Sequence, residues 1–217
     1  MRKQYKYLFW DLDGTLSDSA PGITRSAQYA LSHFGIDVPD LSDLLCFVGP
    51  PLEESFKEFY HFSSEKADEA VAKYRERYEV TGLYENELYA GIADFLDVAH
   101  AAGKIQMVAT SKPQRMADQV LKHFGIYDKF AFVGGREYDG TRKTKAEVIR
   151  YVMNSCGLQD RSDIIMIGDR KHDILGANAV GLDSVGVLYG YGNRQELADA
   201  GATYIVNDLD ELKELLL

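Results

Sequence analysis

The sequence predicts a doubly wound α/β fold, a parallel sheet covered by helices on both faces, with an all-helical segment inserted after the first strand. Three observations predict it. Tyr7-Leu8-Phe9-Trp10 is a short aromatic and apolar run of the length expected for a buried strand. Residues 20–81, which follow it, carry helical periodicity and no strand signal. From residue 92 onward, short apolar runs alternate with helical stretches, the pattern of right-handed βαβ units and a parallel sheet. The division expected is a core of residues 1–17 and 88–217 and a helical insert of residues 18–87.

Each element has its own signal. In the insert, Ile23, Ala27, Ala30, Leu31 and Phe34 recur at helical spacing and Gly35 closes that helix. Leu52, Phe56, Phe59 and Tyr60 repeat the pattern after Pro50-Pro51, and Ala67, Ala70, Val71, Tyr74 and Tyr78 give a third helix, ended near Gly82. The core then resumes with a helix over 92–102 and a strand over 105–109. A helix over 113–124 follows, with proline at its start and Gly125 beyond its end. Strands are expected over 130–133, 164–167, 184–187 and 204–206, and helices over 145–156, 171–180, 194–200 and 209–217. Gly190-Tyr191-Gly192 lacks the third glycine and the helix of a dinucleotide loop and reads as a turn at the edge of a site.

Composition narrows the function. The chain has 217 residues, enough for one substantial core and a smaller satellite. Its 24 basic and 34 acidic residues give a net charge of −10, which repels nucleic-acid backbones and anionic lipid, so neither is expected as a partner. Cys46 and Cys156 form no C-x-x-C pair, so neither a disulfide framework nor a zinc site is predicted. The apolar run after Lys3 and Lys6 is too short for a signal peptide, and no segment has the length of a membrane span. A cytoplasmic protein is the default expectation.

The chemistry is concentrated at strand ends, where a doubly wound sheet places its functional loops. The first strand runs into Asp11-Leu12-Asp13-Gly14-Thr15. Two carboxylates leaving a buried strand are costly unless their charge is compensated, and a divalent metal does this most economically. Residues two apart on a strand share a face, so both acids can reach one site, and Gly14 allows a sharp turn after them. The second strand ends in Thr110-Ser111-Lys112, the third leads to Lys143 and Lys145, and the fourth ends in Gly168-Asp169 with Asp173 four residues on.

Asp11-Leu12-Asp13-Gly14-Thr15, Thr110, a lysine before a core helix and Gly168-Asp169-Arg170-Lys171-His172-Asp173 resemble the four motifs of the haloacid dehalogenase-like phosphohydrolases. The resemblance covers the whole chain, because the insert is similar to that family's small helical cap. Asp18-Ser19-Ala20-Pro21 and the Gly49-Pro50-Pro51 turn resemble its phosphoglycolate phosphatase-like branch, which also holds proteins called 5′-nucleotidases. The implied fold is a Rossmann-like core with a cap.

The resemblance implies a Mg²⁺-dependent phosphatase acting on a small phosphorylated metabolite through an aspartyl-phosphate. Asp11 is the implied nucleophile and Asp13 the general acid and base. The implied metal ligands are Asp11, the Asp13 backbone carbonyl and Asp169, with Asp173 holding waters or the lysine around them. Thr110, supported by Ser111, and the lysine are implied to bind phosphoryl oxygens. Arg25 and Arg75 on insert helices are candidate substrate contacts. An acid at position 13 fits ester hydrolysis, whereas dehalogenase relatives lack it. Ile23 stands where sugar phosphomutases of this architecture carry a histidine. Phosphoryl transfer to an acceptor other than water and a phospho-accepting signalling module are the alternatives.

The lysine departs from the family pattern, because Arg142-Lys143-Thr144-Lys145-Ala146-Glu147 stands where relatives often show Lys-Pro-x-Pro. Counting back from Cys156-Gly157 favours Lys143. Thr144 and Glu147, however, form a T-x-x-E capping box that puts Lys145 first in the helix, facing the strand ends, and Lys145 is preferred on that ground. His172 is expected to face solvent on the first turn of its helix.

Overall fold

The computed structural model describes residues 3–137 and 141–217. The chain divides into two compact units, Met1–Ser17 with Leu88–Leu217, and Asp18–Glu87. In chain order the strands are β1 Tyr7–Trp10, β2 Ser17–Asp18, β3 Glu87–Leu88, β4 Ile105–Pro113, β5 Phe132–Arg136, β6 Ile164–Gly168, β7 Asp183–Val187 and β8 Tyr204–Val206. The helices are α1 Ala20–His33, α2 Leu52–Tyr60, α3 Ser64–Tyr78, α4 Ile92–Ala101, α5 Gln114–His123, α6 Lys145–Ser155, α7 Lys171–Val180, α8 Arg194–Asp199 and α9 Leu209–Leu216.

The first unit is an α/β fold built on a six-stranded sheet of order β5-β4-β1-β6-β7-β8 with all neighbours parallel. A central parallel strand is covered on both faces and needs apolar residues on both sides. Leu8, Phe9 and Trp10 of β1 are accordingly buried without remainder. Successive side chains alternate between the faces. Phe9, Met107 and Met166 join Val148, Ile149 and Val152 of α6 and Ala177 and Val180 of α7 in one core cluster. Trp10 meets Phe95 of α4 edge-on, with ring centroids 5.4 Å apart.

Register then decides where the chemistry lies. Trp10 pairs with Val108 of β4 and Ile167 of β6, so Asp11, Thr110 and Asp169 emerge together at the carboxyl edge. The chain winds from β1 outward through β4 and β5, then returns to β6 and winds the other way. The gap between β1 and β6 is therefore the topological switch point, the place where open α/β sheets form their ligand crevice.

Two strands depart from expectation. β4 runs on to Pro113 rather than ending at residue 109, with a register shift between Ala109 and Pro113, so Thr110, Ser111 and Lys112 belong to the strand. β5 starts two residues later than expected and continues through Gly134-Gly135. Glycine weakens a strand, but it also permits close approach. A Cβ on Gly134 would lie 2.4 Å from Val152 Cγ2, so only glycine lets α6 pack this tightly on β5.

The second unit is helical apart from the strand residues at its ends. Ala27, Ala30 and Leu31 of α1 and Ala67, Ala70 and Tyr74 of α3 are buried, and α1 and α3 pack on each other. Residues 41–47 form a 3-10 turn whose Phe47 meets Phe56 of α2 at 4.8 Å. Ser63 caps α3 by accepting the Lys66 N–H. The ends of this unit are tied together: Gly22 N donates to Glu85 O at 3.0 Å, and the Glu85 carboxylate accepts from Arg77 at 2.7 and 3.0 Å and from Arg25 at 3.1 Å. No helix among the described residues is long and apolar enough to cross a membrane.

Candidate active site

Four segments of the first unit build the site. At the end of β1, the Asp11 N–H still donates to Ile167 O at 2.9 Å, and its side chain is buried. The chain then folds tightly, with Thr15 N and Leu16 N both donating to Leu12 O. Gly14 makes that turn at a φ of 86°, and a Cβ there would lie 2.3 Å from Asp169 Oδ2. Positive φ and the close carboxylate both require glycine.

β4 contributes Thr110 and Lys112. The Lys112 N–H donates to Thr110 Oγ1 at 3.1 Å, and Lys112 Nζ holds both oxygens of Asp13 at 2.8 and 3.0 Å. Ser111, between them, is half-buried. The third segment is the start of α6, where Thr144 and Glu147 complete a reciprocal capping box. That cap turns Lys145 inward, with its Nζ 2.8 Å from Asp11 Oδ1, 2.7 Å from Asp173 Oδ1 and donating to Ala109 O at 3.1 Å. Lys145 is only 6% exposed, whereas Lys143 lies on the surface. β6 supplies the fourth segment. Asp169 accepts from Thr15 Oγ1 at 3.1 Å and from Tyr191 N at 2.9 Å, and Asp173 accepts from Arg170 N at 3.1 Å.

Charge in this crevice does not balance. Asp11, Asp169 and Asp173 each place a carboxylate oxygen within 4.8 Å of the others, against one ammonium, that of Lys145. Burial pushes the Asp169 carboxyl up to about 8, with Asp173 and Asp11 adding repulsion, while Tyr191 N–H and Thr15 pull it back. Burial also raises Asp11, against the opposing pull of Lys145. Burial pulls the Lys145 ammonium down, but Asp11 and Asp173 outweigh it and hold it above its usual value. Lys145 Nζ is at ion-pair distance from both Asp11 Oδ1 and Asp173 Oδ1, so one ammonium serves two buried acids. Three buried hard oxygen donors sharing a single ammonium fit a divalent cation.

A consequence can be measured without turnover. Asp169 is raised in the folded state, so its contribution to stability is present at low pH and lost as pH rises through about 8. A cation competes with that proton. The gain in Tm on adding MgCl₂ to chelator-stripped protein is therefore expected to be larger at pH 8.5 than at pH 5.5. Scanning fluorimetry showing an equal or smaller gain at pH 8.5 would count against the three-acid site.

Other expectations fall differently. Asp173, expected to hold waters or the lysine, does pair with Lys145, and it also stands with Asp11 and Asp169 in the acid cluster. The Asp13 side chain lies outside that cluster, on Lys112. His172 is half-buried rather than solvent-facing. Burial and the neighbouring Arg170, Lys171 and Lys145 charges push its imidazole down, against an opposing pull from Glu196, which accepts from Arg170 Nε and Lys171 N. Arg25 and Arg75 are exposed residues of the helical unit, and Arg25 is paired with Glu85. Sequence reasoning passed over the roles of Lys112, Thr15 and Tyr191. Lys112 had a signal, its period-2 spacing from Thr110, whereas the Tyr191 N–H had none beyond the turn that carries it.

The model of the haloacid dehalogenase-like hydrolase family matches residues 8–187. The chain belongs to this family. It is 45% identical over 213 residues to a 5′-nucleotidase of Pseudomonas aeruginosa, covering 98% of this chain and 96% of that one. It is 39% identical to Tyrosine-protein kinase PtkA of Mycobacterium tuberculosis, covering 96% of this chain and 72% of that one. The crystal structure of a predicted phosphatase from Clostridium acetobutylicum superposes with a TM-score of 0.93 at 47% identity, covering 97% of each chain. As a haloacid dehalogenase-like hydrolase, the protein is an enzyme, and its acids occupy the switch point of that family's core.

Proposed function

We propose that the protein is a Mg²⁺-dependent phosphatase that hydrolyses a small phosphate monoester through an aspartyl-phosphate on Asp11. The observation that carries this reading is Asp11 itself: a buried carboxylate at the switch point, whose Oδ1 is held 2.8 Å from a buried lysine. That oxygen attacks phosphorus in line while the ester oxygen departs with a proton from Asp13. Asp13 then takes a proton from the water that cleaves the acyl phosphate, which regenerates Asp11 and frees phosphate.

Lys145 neutralises Asp11 before attack and offers donors to the phosphoryl oxygens as charge spreads over them. Thr110 Oγ1 accepts from Lys112 N, which leaves its hydroxyl proton to donate, to Asp11 in this structure and to a phosphoryl oxygen when substrate is bound. The cation would be held by Asp11, Asp169, Asp173 and the Asp13 carbonyl, and would supply charge neutralisation at the phosphoryl group. The helical unit is read as the cap that selects the substrate, with Arg25 and Arg75 as its candidate contacts. The likeness to a 5′-nucleotidase supports nucleoside monophosphates as the first candidates to test, with phosphoglycolate-like esters next.

A phosphate-release screen over p-nitrophenyl phosphate, nucleoside monophosphates, phosphoglycolate and sugar phosphates tests this reading. Release is expected with MgCl₂ and none in excess EDTA, and full turnover in EDTA would overturn the mechanism. The likeness to a protein named a tyrosine kinase favours a second reading, in which the same aspartyl-phosphate passes to a protein hydroxyl. Labelled phosphate appearing on protein rather than in solution would select it.

A further inference from the structure

We propose that Lys112 is a positioning residue that orients the carboxyl group of Asp13 toward the leaving oxygen of the substrate, an inference that rests on the phosphatase reading above. A buried ion pair is a poor stabiliser, because desolvation offsets most of its Coulombic gain, and an apolar pair would serve packing as well. The Lys112 side chain is nevertheless only 3% exposed, and its ammonium grips both oxygens of Asp13, at 2.8 and 3.0 Å. A grip on one oxygen would leave the carboxyl plane free to rotate. A grip on both fixes it.

Lys112 is itself held. It lies on β4, its backbone N–H is bonded to Thr110 Oγ1, and the strand continues past it to Pro113. Thr110, Lys112 and Asp13 thus form one connected unit, and the acid is set in place by the strand that also presents Thr110. In the first step the Asp13 carboxyl gives its proton to the ester oxygen as the P–O bond breaks and is left as a carboxylate. A carboxylate is the form that pairs as an ion with the Lys112 ammonium, and it is the form that accepts a proton from water in the second step. Lys112 keeps its own protons throughout.

A misplaced acid should matter in proportion to how badly the leaving group needs a proton. Phenolate needs it far more than p-nitrophenolate does, and kcat/KM reports the step in which that oxygen leaves. Lys112→Met is expected to lower kcat/KM for phenyl phosphate by roughly 10- to 100-fold, part of the full worth of a general acid. The loss for p-nitrophenyl phosphate should be about threefold or less, so the ratio between the two esters widens. Lys112→Arg, whose planar guanidinium also takes both oxygens of a carboxylate, should bring the ratio back toward that of the wild type. Lys112→Gln gives the same reading if the methionine variant does not fold, as judged by thermal unfolding. Equal losses on both esters, or no loss on either, overturn the proposal, since packing or phosphate binding would act on both alike. If the wild type cleaves neither ester with MgCl₂ present, the phosphatase reading and this inference fall together.

Discussion

Asp11→Asn is expected to fold normally and to lose at least about four decades of turnover, the scale on which removing a covalent nucleophile acts. The variant is isosteric. It removes one charge from a cluster of three buried acids, and Lys145 keeps its pairing with Asp173 at 2.7 Å. Stability should therefore change little while the attacking oxygen is gone. Trapping with beryllium fluoride, which mimics a phosphoryl group on a carboxylate, should vanish as well. Asp13→Asn should instead lose about two to four decades and keep the trapped adduct, because a general acid and base is not the atom phosphorylated. Phosphate release and fluoride-adduct binding measured on both variants decide the assignment. Small, equal losses would mean that the two acids only bind metal.

Lys145→Ala is expected to damage both stability and turnover, and Lys143→Ala neither. Breaking a buried ion pair by removing one partner costs about 3–5 kcal/mol. For a chain of this length that is a fall in Tm of roughly 10 °C. MgCl₂ should restore part of the fall, because a dication supplies the positive charge that Asp11 and Asp173 have lost. Turnover should drop by about two to three decades, the usual effect of losing one donor to a charge-bearing oxygen. Lys143 is exposed, and a surface substitution there should stay within about 0.5 kcal/mol. Thermal unfolding with and without MgCl₂, alongside phosphate release, separates the two. A loss confined to Lys143→Ala would reverse the choice of lysine.

The doubly wound core and its helical insert were readable because they depend on local periodicity. A fully buried strand such as β1 must be apolar on both faces, and helices such as α1 and α3 must repeat small and apolar residues on one face. Strand limits were less legible. Thr110 to Pro113 and Gly134-Gly135 carry turn-like or weak strand residues, and it is the parallel pairing of β4 with β5 that keeps them in the sheet. The half-burial of His172 is likewise not a local property, since its turn is bonded to Glu196 on a separate helix.

The sequence by itself determined the kinds of chemical group and the strand ends that carry them: Asp11 and Asp13 after β1, Thr110 on β4, Asp169 and Asp173 after β6, and a lysine at the head of α6. It also determined the capping box that turns Lys145 inward, because Thr144 and Glu147 act within a single turn of helix. The tertiary structure decided which groups share charge. Asp13 is 99 residues from Lys112, and Asp11 is farther still from Lys145 and Asp173 in the chain, yet each acid is within ion-pair or cluster distance of its partner. Periodicity reaches only a few residues along the chain. Partnerships of this kind follow from parallel register, which brings Trp10, Val108 and Ile167 level, and from the burial of Asp11, Lys145, Asp169 and Asp173, which makes each charge there require a counter-charge.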